Sequence, residues 1–578
     1  MKKMYFLVVL CVATICLSAQ NADPYFYPKW LQDLQNQNTG LIDSVATYPV
    51  HSSAPDYRTH VIYYHQPLDH ANPQGVSFPM RAIITVNTKN DPRNVINHVY
   101  CTGYALDQVY ANQPDSTYAA EVENINEICR RYNGNFIMIE HRYFQFSAPS
   151  ACWTNLDYLT AEAAATDFHN LFTGMKKVLK GKWVMSGVSK GGITTLLQHT
   201  FYPNDMDIYA PYSAPFFESD RQLGMQSHWN NVGWSKEFLD IFMNVRKSCM
   251  TGLLDYPGQP STNKIYPIYY FMNIGKDTTQ AHRDSVYLNY LSNAAYFGFV
   301  EKAYSDTTKI RRQITVNDSI IRSYGWNGYN DTVLAYMMHT CSFQLNSIKP
   351  FIDTLRKYSQ MPNQVPMRPL KRQIYDPFGV TEQNWWGTDT AHTGYAEAYA
   401  YQSKRELGFF DIRFDEIAST PQEAAVFNQF WIDKASCMRD FISPYYASLS
   451  FSPALYNRVM DATKNATKPI ILLYGNNDPW TGAAVKDEYL SSSVKKYVLP
   501  NQNHLVYFQS NTDVTKCNEI RTILDGILGS PQGIEEVRDN SQFTIHNSQL
   551  ESTKVLRDGQ IYIMRGGKMY TLQGQEVK

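Results

Sequence analysis

The stretch GKWVMSGVSKGGITTLLQHTF, residues 181–201, decides the fold. It opens on an apolar, strand-like run around Trp183, turns through Gly187-Val188-Ser189-Lys190-Gly191, and continues with the spacing of a helix. A serine hydroxyl is a weak nucleophile unless it is held out of the fold beside a base, and a strand–turn–helix elbow does this. The glycines two before and two after the serine relieve crowding, because the backbone turns tightly and the flanking elements pack close. The pentapeptide alone is a weak sign, since an ordinary tight turn also carries it. The strand before it and the helix after it give it weight.

Working outward, strands and helices alternate on the N-terminal side. THVIYYHQPLD and MRAIITVN read as strands, NVINHVYCTGYAL as a buried strand entering a loop, and AEVENINEICRRYN as a helix. GNFIMIEHRYF is another buried strand and LTAEAAATDFHNLFTGMKKVL a helix. Such alternation predicts an α/β protein with a mostly parallel sheet covered on both faces. From about 216 to 465 strand-type runs are scarce, and aromatic-rich segments of helical spacing dominate. KPIILLYGNNDPW and SSVKKYVLPNQNH resume the strands, and CNEIRTILDGILG reads as a closing helix. The expected organisation is a signal peptide at 1–19 and an α/β-hydrolase core in two parts, 20–215 and 466–530. A mostly helical cap at 216–465 is inserted between them, and a linker with a small β-rich tail occupies 531–578. Residues 21 to about 60 read as irregular. GQIYIMRGGKMYTLQGQEVK alternates like two short strands around Gly566-Gly567, and similar C-terminal tails occur in some exported bacterial proteins.

Composition narrows the function. The net charge of −1, from 52 basic and 53 acidic residues without a long basic run, argues against a nucleic-acid partner. The 42 tyrosines and 10 tryptophans suit a wide cleft, and equally fill cores. Lys2 and Lys3, the apolar run Met4 to Leu17 and the small residues Ser18-Ala19 read as an export signal, which predicts a periplasmic or extracellular protein. Ile15 before Cys16 is too large for a good lipidation site, and no later stretch has membrane length. Beyond the signal stand Cys101, Cys129, Cys152, Cys249, Cys341, Cys437 and Cys517, widely spaced and without a CxxC pair, so no structural metal is expected.

A serine nucleophile on this fold needs an acid and then a histidine, in that chain order. Asp478 ends the apolar strand of IILLYGNNDPW, at the sheet edge where α/β proteins keep their sites. His504 follows in LPNQNHLVYF, again after a strand. The acid would hold the imidazole in one tautomer, and the histidine would act as general base and then acid. Asn477 is an amide and cannot supply the charge. Rate should then fall at acid pH, through a pKa of about 6 to 7, as the imidazole takes a proton. The oxyanion would be met by the Lys190 N–H and by Gly103 or Tyr104 in HVYCTGYAL. The Lys190 side chain reads as a solvated charge. No cofactor and no metal is needed for this chemistry.

Several pieces together resemble a known group. QPLDHANPQGVSFPMR, IEHRYFQFSAP, SGVSKGG, AYQSKRELGFF, YGNNDPW and NQNH are similar to secreted serine peptidases specific for proline. These are the bacterial prolyl tri/tetrapeptidyl aminopeptidases and, more distantly, lysosomal Pro-X carboxypeptidase and dipeptidyl peptidase II. The SKGG form favours the aminopeptidase branch. The resemblance implies an α/β-hydrolase core with a helical cap, a triad of Ser189, Asp478 and His504, and removal of di- to tetrapeptides from N-termini, often after proline. Gln145 stands where related chains often have glycine. A reader of a free, positively charged N-terminus wants a carboxylate. Glu406 in RELGFF is the first choice and Glu140 in EHRYF the second, the alternatives being a helix-face charge and a strand-end ion pair. Trp480, Trp385 and Trp386 are offered as rings on which a proline could stack, although paired tryptophans also serve as core. Two other readings stand beside the peptidase: an esterase or lipase on the same scaffold, and a binding protein on an inactive one.

Overall fold

In the computed structural model, the described residues are 27–47, 56–106, 127–149, 156–232 without 223, parts of 236–247, 307–340, 344–358, 395–409, 415, 418–434, 449–531 without 510, and the strands within 553–577. The chain divides into two compact units, Met1–Gly533 and Ile534–Lys578.

The first unit is built on a nine-stranded sheet in the order β1-β2-β3-β5-β4-β6-β7-β8-β9. The strands are β1 Ile42–Thr47, β2 Tyr57–Pro67, β3 Ser77–Asn87, β4 Asn97–Cys101, β5 Asn135–Ile139, β6 Trp183–Val188, β7 Ile208–Tyr212, β8 Ile470–Gly475 and β9 Val494–Leu499. The first three and the β3–β5 pair run antiparallel. Every later pairing, from β5–β4 to β8–β9, is parallel. The central strands read as continuous apolar runs because both faces are covered. Along β8, Ile470, Leu472 and Tyr474 join one core, while Ile471 and Leu473 join the other. This is the two-residue side-chain period of a strand made visible by burial.

The helices of the core are α1 Lys29–Asn36, α2 Glu127–Tyr132, α3 Ala161–Met175 and α4 Lys190–Phe201. Every described regular element between β7 and β8 is helical. These are α5 Gly224–Asn230, α6 Thr307–Ser323, α7 Asp331–Thr340, α8 Ile348–Tyr358, α9 Tyr395–Gln402, a π-helical turn Ser403–Leu407, α10 Pro421–Lys434 and α11 Ala454–Lys464. The closing helix, α12 Val514–Leu528, buries Ile520, Leu524 and Leu528 at four-residue spacing under the sheet. Asp513 caps it by accepting the Lys516 N–H at 3.1 Å, an arrangement worth about 1 kcal/mol.

The region read as irregular, 21 to about 60, holds α1, β1 and the start of β2. Helix α1 has one turn's worth of buried face, Trp30, Leu31 and Leu34, too short a pattern to stand out before the sheet that covers it is known. In the second unit β10 Thr553–Arg557, β11 Gln560–Arg565, β12 Lys568–Tyr570 and β13 Glu576–Val577 form an antiparallel sheet in chain order, four strands where the sequence suggested two. Arg557 pairs with Gln560 and Arg565 with Lys568, so the two connections are Asp-Gly and Gly-Gly, the dipeptides tight hairpins favour. No described helix is long and apolar enough to cross a membrane. Cys101, Cys129 and Cys517 are buried free thiols. The other cysteines, residues 1–19, Trp385 and Trp386 lie outside the described residues.

Candidate active site

Strand β6 ends on Val188, Ser189 follows it, and α4 begins at Lys190. Ser189 has φ 60° and ψ −124°, a conformation that costs a non-glycine residue about 1–3 kcal/mol. The surroundings enforce it. Its N–H donates to the Tyr212 carbonyl of β7 at 3.0 Å, and its carbonyl accepts the Ile193 N–H at 2.9 Å. The flanking glycines are required by close approach of β4: a Cβ at Gly191 would lie 1.9 Å from the Cys101 carbonyl oxygen, and one at Gly187 2.5 Å from it. Strand and helix therefore meet at a distance that only glycine permits.

Two strands further along the sheet, β8 leads into Asp478, which is fully buried. Its Oδ1 accepts the Trp480 N–H at 3.1 Å, and its Oδ2 lies 2.9 Å from Nδ1 of His504. A carboxylate only accepts, so the proton sits on Nδ1 and Nε2 is left as the basic nitrogen. The two loops are stitched together by their backbones. The Asn476 N–H donates to Leu499 and the Asn477 N–H to Gln502, each at 2.9 Å. Strands β6 to β9 are parallel neighbours, so Ser189, Asp478 and His504 all emerge at their C-terminal edge. The spacing to an acid and then a histidine thus resolves into one hydrogen-bonded pair at the same edge as the strained serine.

Around this edge the remaining expectations divide. The Tyr104 N–H is turned onto the Thr102 hydroxyl at 3.1 Å. Gly103 takes φ +79° and lies flat against the elbow, where a Cβ would sit 2.6 Å from the Lys190 carbonyl carbon. The Lys190 side chain is not a solvated charge. It is 2 % exposed, its Nζ donates to the Gly103 carbonyl, and it sits 5.3 and 5.1 Å from the ring centres of Tyr104 and Phe144. Burial pulls its pKa down to about 7. A lysine one residue past a nucleophile is sent inward by the helix phase, which its charge does not reveal.

Glu140 is buried and fully engaged. It accepts both Arg81 guanidinium contacts at 2.8 and 3.1 Å, the Leu106 N–H at 3.0 Å, and the Ser147 N–H and hydroxyl at 3.0 and 2.9 Å. It is the strand-end ion pair weighed in the sequence and has no oxygen left for a ligand. Glu406 differs. Its Oε1 accepts the N–H of Ala161, the first residue of α3, at 2.8 Å, and Oε2 takes no hydrogen bond among the described residues. Burial pushes its carboxyl up to about 7, opposed by the Ala161 N–H, Arg405 and Lys190. Trp480 is buried beside the histidine, ring centres 5.9 Å apart, and packs on Phe217 and Phe409 at 6.1 and 5.8 Å. Phe409 continues to Tyr399 at 6.0 Å, and Tyr399 to Tyr104 at 5.5 Å. This run of rings joins the acid loop to the Gly103 loop. Phe217, Phe409 and Tyr399 were not singled out in the sequence, where 42 tyrosines and 28 phenylalanines offer no contrast.

One further residue carries no sequence signal. Glu127, at the start of α2, is buried and accepts the N–H groups of Phe508 (3.1 Å) and Gln509 (2.8 Å) and the hydroxyl of Tyr212 (3.0 Å). It braces the His504 loop against the strand whose carbonyl holds Ser189. Burial raises its carboxyl to about 7.

The fold and this edge define a chain of the α/β-hydrolase class with the constellation of a serine hydrolase. Residues 46–238 match the family described as PS-10 peptidase S37, and the resemblance drawn from the motifs stands. The prolyl tri/tetrapeptidyl aminopeptidase of Streptomyces mobaraensis is 34% identical over 179 residues, 31% of this chain and 33% of that protein. The match thus spans about a third of that relative's length. Among solved structures, the rice cell wall degrading esterase LipA of Xanthomonas oryzae aligns over 85% of this chain and 98% of its own, with TM-score 0.31 and 10% identity. A proline iminopeptidase of Mycobacterium smegmatis aligns over 84% and 97%, with TM-score 0.26 and 11% identity. The fold assignment rests on the strand order and the elbow, not on these likenesses.

Proposed function

We propose that this chain is an exported serine exopeptidase that releases di- to tetrapeptides from N-termini, with a preference for proline, through an acyl-enzyme on Ser189. The observation that carries the reading is the buried Asp478–His504 pair at the strand edge that holds the strained Ser189 elbow. Neutral His504 takes the Ser189 proton as the oxygen attacks the scissile carbonyl, and Asp478 stabilises the imidazolium that forms. The oxyanion is met by the Lys190 N–H and by an N–H of the Gly103–Tyr104 loop. His504 then protonates the leaving amine, water enters, and the same histidine activates it against the ester. The helices between β7 and β8 form the cap over this edge.

The open oxygen of Glu406 supports recognition of a free α-ammonium, whereas Glu140 is spent on its neighbours. The Trp480 cluster supports an apolar, ring-accepting subsite. Product analysis of a mixed peptide library tests the reading: short N-terminal fragments support it, and turnover of short acyl esters without any peptide amide sends the assignment to the esterase alternative. Glu406→Gln should raise KM about tenfold for peptides with a free N-terminus and leave N-acetylated or ester substrates unchanged, since only the charged partner is lost.

A further inference from the structure

We propose that the side chain of Lys190 is a positioning residue that clamps the Gly103–Tyr104 peptide over the nucleophile elbow and so shapes the oxyanion site. The inference rests on the serine-hydrolase reading of Ser189. Lys190 is the first residue of α4, next to the nucleophile, and its side chain turns back to the neighbouring loop. Its Nζ donates to the Gly103 carbonyl, which belongs to the same peptide plane as the Tyr104 N–H. Gly103 is in the left-handed region, at φ +79°, and touches the Lys190–Gly191 peptide closely enough to exclude a Cβ. A loop in that conformation is held from two sides, by the contact below and by the ammonium on its carbonyl.

Two features separate a positioning role from simple packing. An ammonium is a costly object to bury, and an apolar side chain of the same length would fill the space without that cost. The structure instead sets it against the faces of Tyr104 and Phe144, which offset part of the cost of burying the charge. A cationic donor on a carbonyl also polarises the amide, which strengthens the bond from the Tyr104 N–H at its other end to the Thr102 hydroxyl, so the peptide that follows Gly103 is held at both ends. The titratable groups that feel the ammonium are Cys101 at the end of β4, His141 just past β5 and Glu406 of the π-helical turn. Lys190 also lines a small enclosed cavity with His141, Ala161, Gln402 and Leu407.

Donors to an oxyanion act on the transition state and not on bound substrate. Lys190→Met in the full chain should therefore lower kcat about 10- to 100-fold with KM within about threefold, and slow fluorophosphonate labelling of Ser189 by a similar factor. Lys190→Arg, which keeps a charged donor, should recover part of the loss. Phe144→Leu, which removes one of the two rings but leaves the lysine, should give a smaller fall in kcat of about threefold, and keeps the proposal testable if the methionine variant does not fold. A kcat and labelling rate within twofold of the parent in Lys190→Met, with only the melting temperature lowered, overturns the clamp while leaving the hydrolase reading intact. Failure of the parent protein to label at Ser189 would overturn both.

Discussion

Two buried charged clusters lie in the first unit, and they are built to opposite ends. At the antiparallel side, Arg142 of EHRYF is fully enclosed and all of its N–H groups are used. It meets Asp167 at 2.6 and 2.9 Å, the carbonyls of Leu68 and Tyr158 at 3.2 and 2.7 Å, and that of Pro67 at 3.1 Å. His70 of the same QPLDH segment also reaches Asp167, at 2.8 Å. At the parallel side, Asp478 and His504 are equally buried, but the pair leaves one imidazole nitrogen basic, at the same sheet edge as a serine held in a strained turn. A saturated network fixes structure, because no lone pair or proton remains to offer. A network that ends on a basic nitrogen is equipped for proton transfer. Both clusters supply motifs to the family resemblance, yet only one leaves a basic nitrogen.

The sharpest way to break this contrast is Asp478→Asn. It keeps the size and the Trp480 contact but removes the charge that fixes the tautomer, so kcat should fall about 10⁴-fold with the melting temperature nearly unchanged. Steady-state kinetics beside a thermal melt decide it, and a loss of stability matching the loss of rate would make the pair structural after all. Arg142→Leu should do the reverse. It strands the buried Asp167 carboxylate and should cost about 3–5 kcal/mol in urea unfolding, while the molecules that remain folded retain their kcat.

Glu127 stands between the two cases, and its effect is the smallest. Its carboxyl is raised to about 7 by burial, against opposing hydrogen bonds from Gln509, Phe508 and Tyr212. A carboxyl with a raised folded pKa binds more protons in the folded chain, so its contribution is complete below the unfolded value, about 4.5, and is lost as pH rises through about 7. Parent stability should thus fall across that window by up to about 1.4 kcal/mol per pH unit from this group. Glu127→Gln should flatten that slope in urea melts at pH 5 and 7.5. Equal slopes in both proteins would remove Glu127 from the account.

Much of this was legible in the chain because it is local. The elbow needs a strand, two crowded glycines and a helix in sequence, and 181–201 spells them out. Asp478 follows a strand of unbroken apolar character and His504 a mixed one, so the sheet edge they share could be inferred before it was seen. The short helix α1 was not legible, since three apolar residues make a face only once a partner covers them.

Local pattern in the chain set the strand–helix alternation of the core, the elbow and the acid–histidine spacing, since periodicity and glycine placement act within a few residues. Tertiary structure alone decided the fate of the charges. Glu140, Glu127, Glu406 and Lys190 look alike as charged letters, yet one is saturated, one is a brace, one keeps an open oxygen and one is caged against the Gly103 loop. The reason is physical: the free energy of a charge depends on how much water it loses and which dipoles replace that water. Those dipoles come from segments far away in the chain.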